Sequence, residues 1–156
     1  MEYMSSATES SGGSGCVFCD GLISDDDERS LILWRGEHTF VILNAFPYNT
    51  GHLLVMPLEH VGALEEMTQA GRGELLETSS AATGFISSEM GAQGFNIGMN
   101  LGAAAGAGIP GHLHLHVVPR WSGDTNFMPV TGETKVLPEM LSDTYSRLKP
   151  LFDSLG

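Results

Sequence analysis

Basic residues are scarce in this chain: seven Lys and Arg stand against nineteen Asp and Glu in 156 residues, a formal net charge of −12. A nucleic-acid-binding surface needs a Lys/Arg stripe to neutralise phosphates, so that class of function is excluded. The same scarcity constrains phosphate chemistry. A polyphosphate would have to be held by backbone amides, asparagines, histidines and Arg120 rather than by a lysine cluster. No run approaches the roughly eighteen apolar residues of a membrane-spanning helix, so no membrane partner is expected. A basic stretch followed by an apolar one is also missing from the N-terminus, so no secretory signal is visible and a cytoplasmic setting is expected. The acidic run Asp25-Asp26-Asp27-Glu28 lacks the Gly and distant Glu of a calcium loop and reads as a solvated turn.

What remains is 42% apolar with scattered charge, long enough for one domain with a real core. Residues 1–15, rich in Ser and Gly, read as a disordered arm, leaving residues 16–156 as a single domain. Leu31–Trp34 and Thr39–Leu43 are short apolar runs around a turn-like Arg35-Gly36-Glu37-His38 and predict a hairpin. His52–Met56 predicts a third strand, stopped by Pro57. From Ala63 to Met90 the apolar residues fall at helical spacing, with Thr68 a cap inside the stretch and Gly91 a stop. That pattern predicts a short turn followed by one long helix. Gly94 to Asn100 alternates large apolar residues with Gly or Asn, a strand with one face emptied of bulk. Glycine there marks close approach of a ligand or another backbone. Pro138 to Phe152 reads as a short amphipathic helix. Five strands without βαβ alternation define an α+β fold: an antiparallel sheet, one long helix and a short C-terminal helix.

Half of the six histidines occupy one strip, His112-Leu113-His114-Leu115-His116-Val117-Val118. In a strand, residues at i, i+2 and i+4 share a face, about 3.3 Å apart per residue along the chain. On a helix the same spacing would scatter the rings over about 200 degrees. The strip therefore reads as a strand with imidazoles on one side and Leu113, Leu115 and Val117 on the other. Leaving three purposeless imidazoles on a buried strand would be costly. Such a strip suits either metal ligation or chemistry at phosphorus or acyl centres.

His112-x-His114-x-His116 followed by two apolar residues resembles the signature of the histidine-triad (HIT) nucleotide-binding proteins. A second block agrees: Asn44-x-x-Pro47-x-x-x-Gly51-His52-x-Leu54-Val55-x-Pro57, in the family's order and spacing. The similarity runs from Cys16 to Met128. The stretch His116-Val-Val-Pro-Arg-Trp-x-Gly-Asp-Thr-Asn-Phe-Met-Pro-Val is similar to the branch that includes bacterial diadenosine tetraphosphate phosphorylases.

The resemblance implies an enzyme that cleaves dinucleoside polyphosphates through a nucleotidyl-histidine intermediate, with phosphorolysis preferred. Hydrolysis of such dinucleotides or of nucleoside phosphoramidates is the alternative. His114 would attack the α-phosphorus, giving a labile phosphoramidate, so that one hard displacement becomes two easier ones. Its other ring nitrogen needs an acceptor, and a backbone carbonyl of the loop Gly102 to Gly111 is the expected one. His116 and the loop amides around Gly106 and Gly108 would stabilise phosphoryl charge, each donor worth about 2.7 to 4 kcal/mol. Asn100 would bind phosphate, Asn44 the ribose, and His52 would tune the triad. Plain alternatives stand beside these: a turn residue for Asn44, a strand-end cap for Asn100, chain reversal for the glycines. Trp121 is either core packing or a lid over the substrate. The family also pairs its sheets, implying a homodimer.

Both cysteines fall in Cys16-x-x-Cys19, a pairing that means metal or redox work. Members of the family complete such a site with the histidine of a Pro-x-x-His turn and the first of the triad. Here those are His60, in Pro57-Leu58-Glu59-His60, and His112. That set implies a closed, structural zinc; a bare dithiol or a Cys16–Cys19 disulfide is the alternative. Two other classes compete with the enzyme: a nucleotide sensor with no chemistry, and a metalloenzyme using all three strip histidines as ligands.

Overall fold

A computed structural model describes residues 14–133 and 139–156. The expected arm, apart from Ser14 and Gly15, and the expected helix start at Pro138 lie outside the described residues. Five strands among these residues form one sheet: β1 (Ile32–Arg35), β2 (Thr39–Leu43), β3 (Leu53–Pro57), β4 (Gly94–Met99) and β5 (Leu115–Arg120). Their order is β1-β2-β3-β5-β4, every pair antiparallel, so the predicted α+β class and five-stranded sheet are observed. Among the described residues four helices accompany the sheet: α1 (Val17–Ile23), α2 (Gln69–Met90), α3 (Met128–Thr131) and α4 (Leu141–Asp153).

The long helix starts and stops where its caps lie. The Thr68 hydroxyl accepts the Gly71 amide at 3.0 Å, and Gly91 turns left-handed at φ 65°, donating its N–H to Ser87. A single 3-10 turn, Leu64–Glu66, precedes it. Leu75, Ala82 and Ile86 of α2, with Leu148 and Phe152 of α4, bury against Leu33, Val41, Leu43, Leu53, Val55, Leu115 and Val117 of the sheet. Each fully buried Leu, Ile or Phe here contributes about 1.5–3 kcal/mol. Glu74 of α2 ties the helix to the β1–β2 turn, accepting the His38 and Thr39 amides at 3.1 and 2.9 Å and the Thr39 hydroxyl at 2.8 Å. Burial pushes that carboxyl up, but these donors outweigh it and hold it below the usual range.

The opposite face carries Ile32, Phe40, Leu54 and Met56 under Phe18 and Leu22 of α1. His116 pairs with Leu54 across the β3–β5 ladder. Leu113, Leu115 and Val117 lie in the helix-side core, so the strip divides its side chains as the alternation predicts.

One expectation is corrected. The ladder does not begin at His112 but at Leu115, opposite Val55. In that register the next hydrogen-bonded pair would set Leu113 against Pro57, and proline has no N–H to give. The Leu113 amide goes instead to the Val61 carbonyl at 2.7 Å, and the Pro57 carbonyl accepts the His112 imidazole Nε2–H at 2.9 Å.

Candidate active site and metal-ligand cluster

His114 is buried, with Nδ1 2.8 Å from the backbone carbonyl of His112. A carbonyl can only accept, so Nδ1 carries a proton, and in the neutral ring that tautomer puts the lone pair on Nε2. The acceptor expected from the glycine loop is thus the chain's own carbonyl two residues back, in the stretch that Pro57 keeps out of the ladder.

A chain of donors fixes the neighbouring ring. The Tyr48 amide donates to His52 Nδ1 at 2.9 Å, which obliges His52 to carry its proton on Nε2. That nitrogen lies 3.0 Å from His116 Nδ1, which therefore accepts, leaving His116 with its proton on Nε2. Burial, reinforced by neighbouring His114, pushes the His116 imidazole down to about 4, so the ring is neutral at physiological pH. Tyr48 stacks on it, ring centroids 5.8 Å apart and planes within 13°. The rings of His114 and His116 meet edge-on, 5.1 Å apart. A lone pair on one imidazole thus stands beside an N–H donor on the next.

The emptied face of β4 lies beside this pair. Gly98 opposes His116 and Asn96 opposes Val118, so the glycine and asparagine positions share the imidazole side. A Cβ added at Gly98 would meet nothing within 4 Å. Asn100 follows at the exposed end of that strand. In the loop beyond, Gly106 is left-handed at φ 85° and its amide is taken by the Ala103 carbonyl at 3.0 Å. Its neighbour Gly108 has open space at its Cβ position. Asn44 closes the other side: its Oδ1 accepts the Phe46 amide at 3.0 Å, and its Nδ2 lies 3.5 Å from both nitrogens of the His52 ring.

Arg120 and Asp124, for which the sequence suggests a phosphate contact and no role respectively, form one clasp. Arg120 bonds both Asp124 oxygens at 2.7 Å and also reaches Asn96 Oδ1 at 3.0 Å, so it is committed within the protein. The guanidinium and the Trp121 amide hold the Asp124 carboxyl at about 2. Asn49 Nδ2 donates to the same carboxylate at 2.9 Å and to the Pro119 carbonyl at 3.1 Å. This clasp anchors the loop that carries Tyr48. Trp121 donates its indole N–H to the Met90 carbonyl at 3.2 Å and lines a cavity of about 500 Å³ with Asn49, Thr50 and Asp124. Sequence reasoning missed Tyr48 and Asn49, whose work depends on a backbone amide and on a contact 75 residues away.

Cys16, Cys19, His60 and His112 bring one ligand atom each within 4.8 Å of one another. Cys16 Sγ and Cys19 Sγ both lie 3.5 Å from His112 Nδ1, and Cys19 Sγ lies 3.3 Å from His60 Nδ1. Tetrahedral zinc with bonds of about 2.3 Å to sulfur and 2.0–2.1 Å to nitrogen needs sulfur–nitrogen edges near 3.6 Å. The donor set fits a metal of that kind. Burial keeps the His112 ring below its ordinary range and so neutral, and its bond to Pro57 leaves Nδ1 free to ligate. Burial and the adjacent Cys16 push the Cys19 thiol up, so a metal must displace its proton. Among the described residues this is the only such gathering of three or more His, Cys, Asp or Glu ligands. The strip histidines do not join in a metal site of their own.

Fold and site together define a histidine-triad domain. The family model for the HIT domain matches residues 26–123, and the chain belongs to the HIT family. It is 44% identical over 118 residues to a Mycobacterium tuberculosis protein named AP-4-A phosphorylase, covering 76% of this chain and 60% of that one. The match thus spans less than two thirds of that relative. An uncharacterized HIT-like protein of Methanocaldococcus jannaschii is 30% identical over 120 residues, 77% of this chain and 89% of its own. Among solved structures, a Zn-bound histidine triad family protein from Mycobacterium smegmatis superposes with a TM-score of 0.72 at 26% identity, covering 90% and 94% of the two chains.

Proposed function

We propose that this protein is a nucleotidyl-transferring enzyme that cleaves dinucleoside polyphosphates through a covalent intermediate on His114. The observation that carries the reading is the His114 Nδ1–His112 carbonyl bond, which leaves Nε2 as a nucleophile beside a neutral His116 donor. Nε2 attacks the α-phosphorus, the P–O bond to the leaving nucleotide breaks, and the pair of electrons departs on that oxygen. His116 Nε2–H donates to a phosphoryl oxygen as charge spreads over it. An incoming acceptor then displaces His114 and restores its lone pair. Asn44, His52, Asn100, Gly106, Gly108 and Trp121 are proposed as substrate-side residues.

Inorganic phosphate is the acceptor in the preferred version, diadenosine tetraphosphate phosphorolysis, supported by the likeness to the M. tuberculosis protein. Water is the second reading, favoured by Arg120 being committed to Asp124 and Asn96 rather than free to hold a phosphate. Incubation with diadenosine tetraphosphate, with and without phosphate, separates them. ATP plus ADP formed only with phosphate supports phosphorolysis; ATP plus AMP supports hydrolysis, and two ADP would place the attack at a β-phosphorus and overturn the α-phosphorus step. His114→Ala should abolish both while still binding nucleotide. Near-normal turnover by that variant would remove the covalent mechanism on His114; binding without turnover by the native protein would leave a sensor module as the reading.

Zinc is the proposed occupant of the Cys16, Cys19, His60 and His112 set, a closed group with no open position and hence a structural part. The proposed assembly is a homodimer through β4, a sheet edge with Ile97 half exposed. No helix among the described residues is long and apolar enough to cross a membrane, and a cytoplasmic location is proposed.

A further inference from the structure

Phe18 stands between the two cysteines of the ligand cluster, yet it faces the reactive imidazole. Its ring centroid lies 5.5 Å from that of His112, nearly perpendicular at 77°, and 5.7 Å from that of His114 at 55°. Val17, its neighbour on α1, is 60% exposed. The short helix has no fully buried residue, and Cys16 makes no side-chain cap bond. Its first turn is held on the sheet by the two thiols at His60 and His112, and by Phe18 seated among Ile32, Phe40, Leu54 and Met56.

Two contacts orient the His114 ring on this side. The His112 carbonyl fixes where Nδ1 points, and the Phe18 ring bounds the tilt of the imidazole plane. The first belongs to a member of the ligand set and the second lies between two others. We propose that Phe18 is a positioning residue that couples closure of the Cys16, Cys19, His60 and His112 set to the orientation of His114. The inference rests on the reading of His114 as the nucleophile. With the thiols drawn together, α1 is seated and Phe18 holds the ring; with them released, the first turn of α1 loosens and the ring gains freedom. Misplacing a reacting group by about 1 Å costs on the order of 100-fold in rate.

The test compares Phe18→Ala, Phe18→Leu and Phe18→Tyr in the zinc-loaded full chain, with zinc content and thermal unfolding measured on each. Phe18→Ala should lower kcat by about 10- to 100-fold while KM for diadenosine tetraphosphate stays within about twofold. Phe18→Tyr should restore kcat. A raised KM with unchanged kcat would make Phe18 a substrate contact and overturn the proposal. A second readout needs no turnover. The Nδ1 proton of His114, followed in histidine-labelled protein by NMR, should exchange slowly in native protein and Phe18→Tyr, and fast in Phe18→Ala and in zinc-free Cys19→Ser. Unchanged exchange in both overturns the coupling. If Phe18→Ala does not fold, Phe18→Leu carries the same comparison. Absence of native turnover would refute the proposed activity alone, because the exchange measurement still decides the coupling.

Discussion

His52 Nε2 and His116 Nδ1 face each other at 3.0 Å, and a single proton must lie between them. The Tyr48 amide on the far side of His52 decides which ring holds it. The result is a neutral His116 whose remaining proton is on Nε2.

Replacing His52 by Phe removes that arrangement and lets His116 place its proton on either nitrogen. The expected loss in kcat is about 10- to 100-fold, below the roughly 10²–10³ that deleting an entire oxyanion donor costs. Steady-state kinetics and the His116 ring nitrogen shifts check it; kcat within about twofold of native would refute the relay.

His116 should remain neutral from pH 8 down to about 5, because its folded value lies at about 4. The unfolded chain binds that proton near pH 6.5, so between about 6.5 and about 4 the unfolded state holds more protons. Stability therefore falls as pH drops through this window, and above it His116 contributes no pH dependence. Denaturant unfolding at a series of pH values should show a shallower slope in His116→Gln than in the native chain.

Gly98→Val should fold normally and work badly. Nothing lies within 4 Å of a Cβ there, and valine suits a strand, so stability should change by no more than about 0.5 kcal/mol. The added methyls would occupy the space beside His116 on the imidazole face. KM should rise several-fold or turnover be lost. Native kinetics in this variant would place the substrate elsewhere.

Cys16→Ser should release the proposed zinc, measured as loss of about one metal per chain by elemental analysis. The melting temperature should fall with it, since metal binding to the folded set is folding free energy. Retention of one zinc per chain in this variant would mean that the ion sits at another site.

Much of this was legible in the sequence because it rests on local periodicity. The two-residue period of His112 to Val118 assigned imidazoles to one face and Leu113, Leu115 and Val117 to the other, as the folded strip divides them. The emptied face of Gly94 to Met99, the Thr68 cap and the Gly91 stop were readable for the same reason. Helix α1 was not. Seven residues without an apolar period are held by thiols and by Phe18; the Cys16-x-x-Cys19 spacing announces the thiol cluster but neither the helix nor the seat of Phe18. The start of β5 at Leu115 depends on which residue of β3 lies across from it, which spacing within one strand does not contain. The Asp124–Asn49 contact and the Tyr48 amide are likewise products of the fold rather than of any motif.

Pro57 matters here for the hydrogen it does not have. An amide-bearing residue in its place would offer the sheet one more rung opposite Leu113, drawing that residue away from Val61 and reclaiming the carbonyl that now steadies the His112 ring. One cyclic residue on a neighbouring strand thus stops the zipper two residues short, and leaves the end of the strip free to be shaped for reactivity.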